Sequence, residues 1–439
     1  MSLFGQDISG DWSGKLEVGE YQLGLFFKIS KDSLGYSCLM SIPQQDKYDI
    51  KIQHINLMDS TLTIRQPDIN FEFNGKLGGN SKVQGELKQN GLFIPLVLKR
   101  EQISFRRPQT PRTPLNYFVE DIVFTNPNDN VFLTGTLTTP KNLDTYPILI
   151  IIGGSGPQNK DGEILGHKPF LVIADHLSNR GIGVLRFDER GIGKSSGLYD
   201  TTSIEGFTSD VIAAVDYIKS RKNLNVKSFG LMGHSLGGII AAKVASVRED
   251  INFVIFLATP AISGKELMLK QKASIEEKTG ISKQQIELSG QIFSGAYDIL
   301  INSEEKDSLR NNISSYFNTN LGPLTSQRHI NKIVNQITST EFKDFLKLHP
   351  FEYLSQVTCP VLALYGSKDL QVDSEVNLKA MENALLSGGN HKVKIEEIKG
   401  LNHLFQECQT GLPNEYFEIE QTIAPQVLEE ITKWIVELN

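Results

Sequence analysis

The sequence predicts an α/β protein, with a mostly parallel central sheet covered by helices on both faces, a helical insertion and a separate N-terminal all-β domain. Three observations carry this. From about residue 117 onward, short apolar runs alternate with helical patterns, as they do where parallel strands are joined by crossover helices. Residues 8 to about 100 instead show period-2 alternation broken by turn residues, with almost no helical periodicity. A polar helical stretch, about 264–348, then interrupts the alternation after Pro260.

In the N-terminal part, Tyr21–Ile29, Thr61–Ile64, Phe71–Phe73 and Leu92–Leu98 read as strands, with turns at Gly78-Gly79-Asn80 and Asn90-Gly91. A small antiparallel barrel or sandwich over residues 1–100 is expected. Gly10-x-Trp12 resembles the opening of a lipocalin, a three-residue likeness. Pro108, Pro111 and Pro114 lie among Arg106-Arg107 and Arg112, giving residues 101–116 a linker composition. The α/β domain is expected over 117–439. It opens with a hairpin, Phe118–Phe124 and Val131–Leu137. Strand Ile148–Ile152, helix Phe170–Asn179, strand Gly183–Phe187 and helix Ser209–Ser220 follow. Strand Ser228–Met232, helix Leu236–Val247 and strand Phe253–Leu257 come next. Ile281–Ile292 and Leu309–Tyr316 are helical patterns inside the insertion. Strand Pro360–Tyr365, helix Ser374–Leu386, strand Lys392–Ile398 and helix Ile423–Glu437 complete the sheet pattern. An insertion between two sheet strands at the sheet's carboxyl edge is expected to sit as a lid over a ligand site there.

A hydrophobic content of 39% and a charged content of 22% fit a globular, soluble chain, and the net charge of −7 argues against a nucleic-acid partner. No apolar run approaches the roughly 20 residues of a membrane span. The three cysteines, Cys38, Cys359 and Cys408, lack metal-ligand spacing and read as free thiols, so no metal is expected. A leader removed before Met1-Ser2-Leu3 would make the protein secreted or periplasmic, and otherwise it is cytoplasmic; the chain leaves both open.

Gly233-His234-Ser235-Leu236-Gly237 matches G-x-S-x-G and stands between a strand and a helix. A serine on so sharp a turn needs small residues two before and two after it, and Gly233 and Gly237 supply them. A serine hydroxyl is a weak nucleophile until a base takes its proton, and that base needs an orienting acid. Asp369 follows the strand at 361–365 and His403 follows the strand ending at Ile398, in the chain order Ser, Asp, His. Asp373 competes with Asp369 but stands where the next helix needs its N-cap, and His391 precedes its strand. His234 is expected to point away from the serine in a structural role. The oxyanion of an acyl-transfer intermediate needs two donors. The N–H of Leu236 is one, and Ser155 or, alternatively, Gly156, from Gly153-Gly154-Ser155-Gly156-Pro157, supplies the other. Gly191-Ile192-Gly193-Lys194-Ser195 has the look of a phosphate loop, but its first required glycine is replaced by Asp188, so nucleotide binding is not expected.

Gly154 to Asp161, Lys168-Pro169-Phe170, Asp188 to Ser195, Cys359 to Gly366 with Asp369 to Val372, and Gly400-Leu401-Asn402-His403 together resemble a bacterial α/β-hydrolase group. These are carboxylesterase-like enzymes with a small N-terminal β-domain, distantly related to prolyl-oligopeptidase-type serine hydrolases. The resemblance implies the α/β-hydrolase fold, Ser235, Asp369 and His403 as a triad, and no cofactor. It further implies hydrolysis of small-molecule carboxylic esters with short or medium acyl chains. The sequence departs at Asn159-Lys160-Asp161, where arginine usually precedes the aspartate, and this bears on the shape of the loop. Thioesterase or peptidase action by the same triad is the alternative. The β-domain of roughly 90 residues is too small for an oligopeptidase propeller and closer in size to a support or dimerisation module, so a homodimer is one expected assembly. An inert binding protein on a hydrolase scaffold is the competing reading of a different class.

Overall fold

The structure, a computed structural model, describes residues 7–18, 21–33, 35–42, 47–79, 81–89, 91–100, 107–141, 143–303, 306–322 and 325–438. Met1-Ser2-Leu3, Asn80, Asn90, and 101–106 of the expected linker lie outside these residues. The chain divides into two compact units, Met1–Arg106 and Arg107–Asn439.

The first unit is one antiparallel sheet of nine strands. They are β1 (Gly10–Val18), β2 (Tyr21–Asp32), β3 (Gly35–Ile42), β4 (Lys47–Lys51), β5 (His54–Met58), β6 (Thr61–Gln66), β7 (Phe71–Gly78), β8 (Lys82–Gln89) and β9 (Leu92–Arg100). Their order is β4-β3-β2-β1-β9-β8-β7-β6-β5, and the sheet curls until β3 meets β5, which favours a barrel over a sandwich. Alternate residues fill its interior, with Trp12, Phe27, Met40, Leu62, Phe73 and Val83 fully buried. Gly75 and Gly85 pair across β7 and β8, where a Cβ on Gly85 would lie 2.0 Å from the Asn74 carbonyl oxygen.

The second unit holds an eight-stranded sheet. Its strands are β10 (Tyr117–Asn126), β11 (Val131–Pro140), β12 (Tyr146–Ile152), β13 (Gly183–Phe187), β14 (Val226–His234), β15 (Phe253–Leu257), β16 (Val361–Gly366) and β17 (Val393–Ile398). The order is β10-β11-β13-β12-β14-β15-β16-β17, antiparallel from β10 to β13 and parallel from β13 to β17. The parallel strands are covered on both faces, so they read as continuous apolar runs, and every residue of β12 and β15 is buried.

Helices α1 (Pro169–Ser178), α2 (Ile204–Ser220) and α3 (Leu236–Val247) precede an insertion made of α4 (Gly264–Lys278), α5 (Lys283–Asn302), α6 (Lys306–Leu321), α7 (Gln327–Ile337) and α8 (Thr340–Leu346). The short α9 (Pro350–Leu354), then α10 (Ser374–Ser387) and α11 (Pro425–Leu438), complete the chain. α2, α3, α9 and α10 pack on one face of the sheet, α1 and α11 on the other. The insertion has a core of its own, including Tyr297, Leu300, Ile313, Phe317 and Val334, whereas Leu267 of α4 and Phe345 of α8 join the core of the sheet.

Two local expectations change. Residues 107–116, which composition marks as linker, belong to the second unit: the Arg107 guanidinium donates to the carbonyls of Leu165, Phe417 and Ile419. Helix α2 begins at Ile204, five residues before the expected Ser209, with the Ser203 hydroxyl accepting from Gly206 N–H. Gly206 looks like a breaker, yet its carbonyl accepts from Arg190 and a Cβ there would press on Thr202, so close packing explains it.

Candidate active site

Strand order reverses at β12, whose neighbours are β13 and β14, and the carboxyl ends of β12 and β14 therefore open a crevice at the middle of the sheet. Register puts Ile152 beside Gly233 and His234 beside Leu257, so the glycine loop and Ser235 leave the sheet at the same level. Ser235 has φ 54° and ψ −123°, a conformation that costs a non-glycine residue on the order of 1–3 kcal/mol. Close packing holds it there. A Cβ on Gly233 would lie 2.1 Å from the Gly237 carbonyl oxygen, and one on Gly237 would lie 2.2 Å from that of Gly153. Ser235 N–H donates to the Leu257 carbonyl at 2.8 Å, and α3 starts at the next residue, leaving Leu236 N–H at the positive end of the helix.

β16 and β17 deliver the other two residues. Asp369 and His403 stand in the loops that follow them, and His403 Nδ1–H donates to Asp369 Oδ2 at 2.8 Å. Both side chains are enclosed, the carboxylate at 0% and the imidazole at 6% exposure. Asp369 Oδ1 accepts from the N–H groups of Gln371 and Val372, at 2.8 and 2.9 Å. Asp373 does something else: it caps α10 by accepting from Val376 N–H. The His403 loop is a tight turn built on Asn402, whose side-chain oxygen accepts from Leu404 and Gln406 N–H.

His234 does not point away. Its Nε2–H donates to the His403 carbonyl at 2.9 Å, and the two rings lie 4.7 Å apart. Burial pushes its pKa down to about 4, and a charge on His403 would act in the same direction. The elbow turns the serine hydroxyl but leaves the preceding side chain under the histidine loop, a contact that sequence position alone does not reveal.

The glycine loop passes directly over the elbow, since a Cβ on Gly154 would lie 3.2 Å from Ser235 Cβ. The segment that follows β13 anchors it. Gln158 N–H donates to Glu189, Lys160 N–H donates to Asp188, and Asp161 pairs with the buried Arg186. The glycine run at 191–193 wraps this anchor, with Gly193 lying against the Asp188 carboxylate. Glu189 is half-buried with no salt-bridge partner among the described residues, and desolvation holds its carboxyl well above the usual range. Gly156 N–H, the alternative oxyanion donor, donates to Glu341 Oε1 at 3.0 Å.

Ser235, His403, His234 and Ser155 share a cavity of about 390 Å³. Leu267, Met268, Phe342, Phe345, Val372 and Leu404 supply its apolar wall, while Gln271, Gln336 and Glu341 make a polar side. Sequence reasoning missed Glu341, Gln371 and Tyr416 as lining residues. Among the described residues, no group of three His, Cys, Asp or Glu side chains is placed to hold a metal ion, and no helix is long and apolar enough to cross a membrane.

A strained serine at the switch point of a doubly wound sheet, beside a glycine loop and an enclosed His–Asp pair, defines the α/β-hydrolase fold with its nucleophile elbow. The chain belongs to the serine aminopeptidase, S33, family, whose model matches residues 168–407. It is 27% identical over 308 residues to Esterase EstD of Thermotoga maritima, an alignment covering 69% of this chain and 65% of that one. The uncharacterized protein YfhR of Salmonella typhi is 36% identical over 77 residues, 18% of this chain and 24% of its own. The chain thus spans just under two thirds of the length of EstD and a smaller part of YfhR. A Pyrococcus furiosus esterase, Pf2001, matches structurally with a TM-score of 0.45 and 17% identity, over 73% of this chain and 90% of that one.

Proposed function

We propose that the protein is a serine esterase acting on small carboxylic esters through Ser235, His403 and Asp369. The observation that carries this is a single cavity into which Ser235, at positive φ, and His403, bonded to the enclosed Asp369, both open. His403 Nε2 takes the hydroxyl proton as Ser235 Oγ attacks the ester carbonyl, and Asp369 holds the imidazole in the tautomer that leaves Nε2 free. The N–H groups of Leu236 and Ser155 receive the oxyanion, and the alcohol leaves with the proton from His403. Water then attacks the acyl-enzyme with His403 again as base, releasing the acid.

The relationship to an esterase of Thermotoga maritima supports the ester over the peptide as substrate. The apolar wall and the volume of the cavity favour short to medium acyl chains. Helices α4 to α8 are read as the lid, and the nine-stranded unit as a support or dimerisation module.

A fluorophosphonate probe with an ester panel of graded acyl length tests the reading. The wild type should take one label, at Ser235, and Ser235→Ala should take none and lose turnover. A folded wild type that resists the probe makes the inert-scaffold reading the right one. Faster turnover of thioesters or aminoacyl amides than of matched esters would move the assignment to those substrates.

A further inference from the structure

The anchors of the glycine loop come from two sources. Gln158, Lys160 and Asp161 are held by Glu189, Asp188 and Arg186, all in the segment around the end of β13. The stretch nearest Ser235, Gly154-Ser155-Gly156, lies outside that set, and its contact comes from far along the chain. Gly156 N–H donates to Glu341 of α8 in the insertion, 185 residues away. Gly156 sits at φ +85°, and glycine on either side leaves the intervening peptide little conformational preference of its own.

Glu341 is itself well supported. Its Oε2 accepts from the Tyr199 hydroxyl at 2.9 Å. Helix α8 starts on the Ser339 cap and sets Phe345 into the core of the sheet, while its Asp344 carboxylate accepts from Ile204 N–H at the start of α2. The carboxylate therefore reaches the loop from an element fastened to the catalytic body, unlike α5 to α7, which pack on one another.

From this we propose that Glu341 is a positioning residue that sets the oxyanion loop. In a trans peptide the N–H of Gly156 and the carbonyl of Ser155 point in opposite directions, so fixing one fixes the other. With the Gly156 N–H committed to a carboxylate, that peptide is locked in one of its two orientations and its N–H is withdrawn from the oxyanion, which leaves the N–H of the preceding peptide, that of Ser155, as the loop's donor. A hydrogen bond to a carboxylate suits this use, because a charged acceptor binds an N–H more strongly than a neutral one and can outweigh the freedom of a glycine-rich turn. The insertion thus does more than wall the cavity: it completes the hole that receives charge in the transition state. This rests on the esterase reading above.

The test uses the full-length protein and p-nitrophenyl acetate, whose acyl group is too small to need the insertion for binding. Glu341→Ala removes the acceptor, Glu341→Asp withdraws it by one methylene, and Glu341→Gln keeps an oxygen for Gly156 N–H while offering its amide to Tyr199. We expect Ala and Asp to lower kcat roughly 10- to 100-fold, the range in which a displaced oxyanion donor acts. KM should stay within about twofold, and Gln should recover to within about threefold of wild type. Affinity for a trifluoromethyl ketone, which forms an oxyanion on Ser235, should fall by the same factor as kcat/KM. Should the Ala variant fail to fold, the contrast between Asp and Gln still decides. Fluorophosphonate-labelled wild type with unimpaired Ala and Asp variants overturns the positioning role alone, as does a loss confined to KM or a Gln variant as poor as Asp. An unlabelled wild type overturns the esterase reading instead.

Discussion

Asp369→Asn separates the chemistry of the aspartate from its place in the fold, because the fold dictates which way the new amide turns. One carboxylate oxygen of Asp369 accepts from two backbone N–H groups, those of Gln371 and Val372, and the other from His403 Nδ1–H. An NH2 group cannot face two N–H donors. The asparagine must keep its carbonyl oxygen there and turn its Nδ2 toward His403. The imidazole then has to accept at Nδ1 and carry its proton on Nε2, the atom that should take the proton from Ser235. A base held in the wrong tautomer costs about ten-thousand-fold in kcat/KM, about 5 kcal/mol in the barrier. Stability should hold, since both backbone donors stay satisfied; Asp369→Ala strands them and should cost about 1–3 kcal/mol for each. The assay is steady-state hydrolysis of p-nitrophenyl butyrate beside a thermal melt of each variant. A folded Asp369→Asn protein with a tenth or more of wild-type activity would refute the reasoning. Asp373→Ala is the control: it should lose about 1 kcal/mol with its helix cap and keep kcat within about twofold.

Other outcomes follow from the same geometry. His234→Ala removes the donor beneath the His403 carbonyl and should lower kcat about tenfold, with KM little changed in the same assay. In the fold the pKa of His234 lies at about 4, below the ordinary histidine value of 6.5, so the unfolded chain binds more protons between those pH values. Its contribution is complete above about pH 6.5 and lost as pH falls toward 4, on the order of 3 kcal/mol, and urea midpoints for His234→Ala should fall less steeply over that window. Glu189 has the opposite sign: its carboxyl is raised in the fold, so stability declines as pH climbs above the unfolded value, and Glu189→Gln should melt higher than wild type at pH 8. Gly237→Ala places a methyl 2.2 Å from a backbone oxygen and should cost about 3 kcal/mol or more, seen as a lowered urea midpoint together with lost probe labelling.

The parallel strands were the easiest part of this sequence to read, because strands covered on both faces cannot alternate. Helix α3 was legible from Leu236 to Val247 for the same reason, being buried nearly all round. The Asp369 loop was legible because Asp373 already had a use as a cap. Four insertion helices begin on serines, Ser263, Ser282, Ser326 and Ser339, each accepting from an N–H three residues on, a capping signal carried by the sequence itself. Other features were out of reach. Arg107 lies in a proline-rich basic stretch, and its three carbonyl partners are 58 or more residues away. Glu341 looks like any first-turn helix glutamate until tertiary structure brings Gly156 and Tyr199 to it. Local pattern reports local pairing, and both of these depend on long-range contact.

The chain enters the insertion at Gly264 and returns at Leu348, where Gly264 N–H donates to the Leu348 carbonyl at 3.1 Å and a Cβ on Gly264 would lie 1.8 Å from the Phe345 carbonyl oxygen. Departure and return are thus stitched side by side, so whatever lies between α4 and α8 forms a loop closed at its base. A closed loop with its own core can be lengthened, shortened or exchanged without pulling on the strands below, since the chain's path through the sheet is already sealed. The seam makes α5 to α7 an interchangeable cassette: a different hairpin of helices could be spliced between the same two stitches. Substrate choice could then change over evolutionary time, or at the bench, while the serine, its histidine and the glycine loop stay where they are.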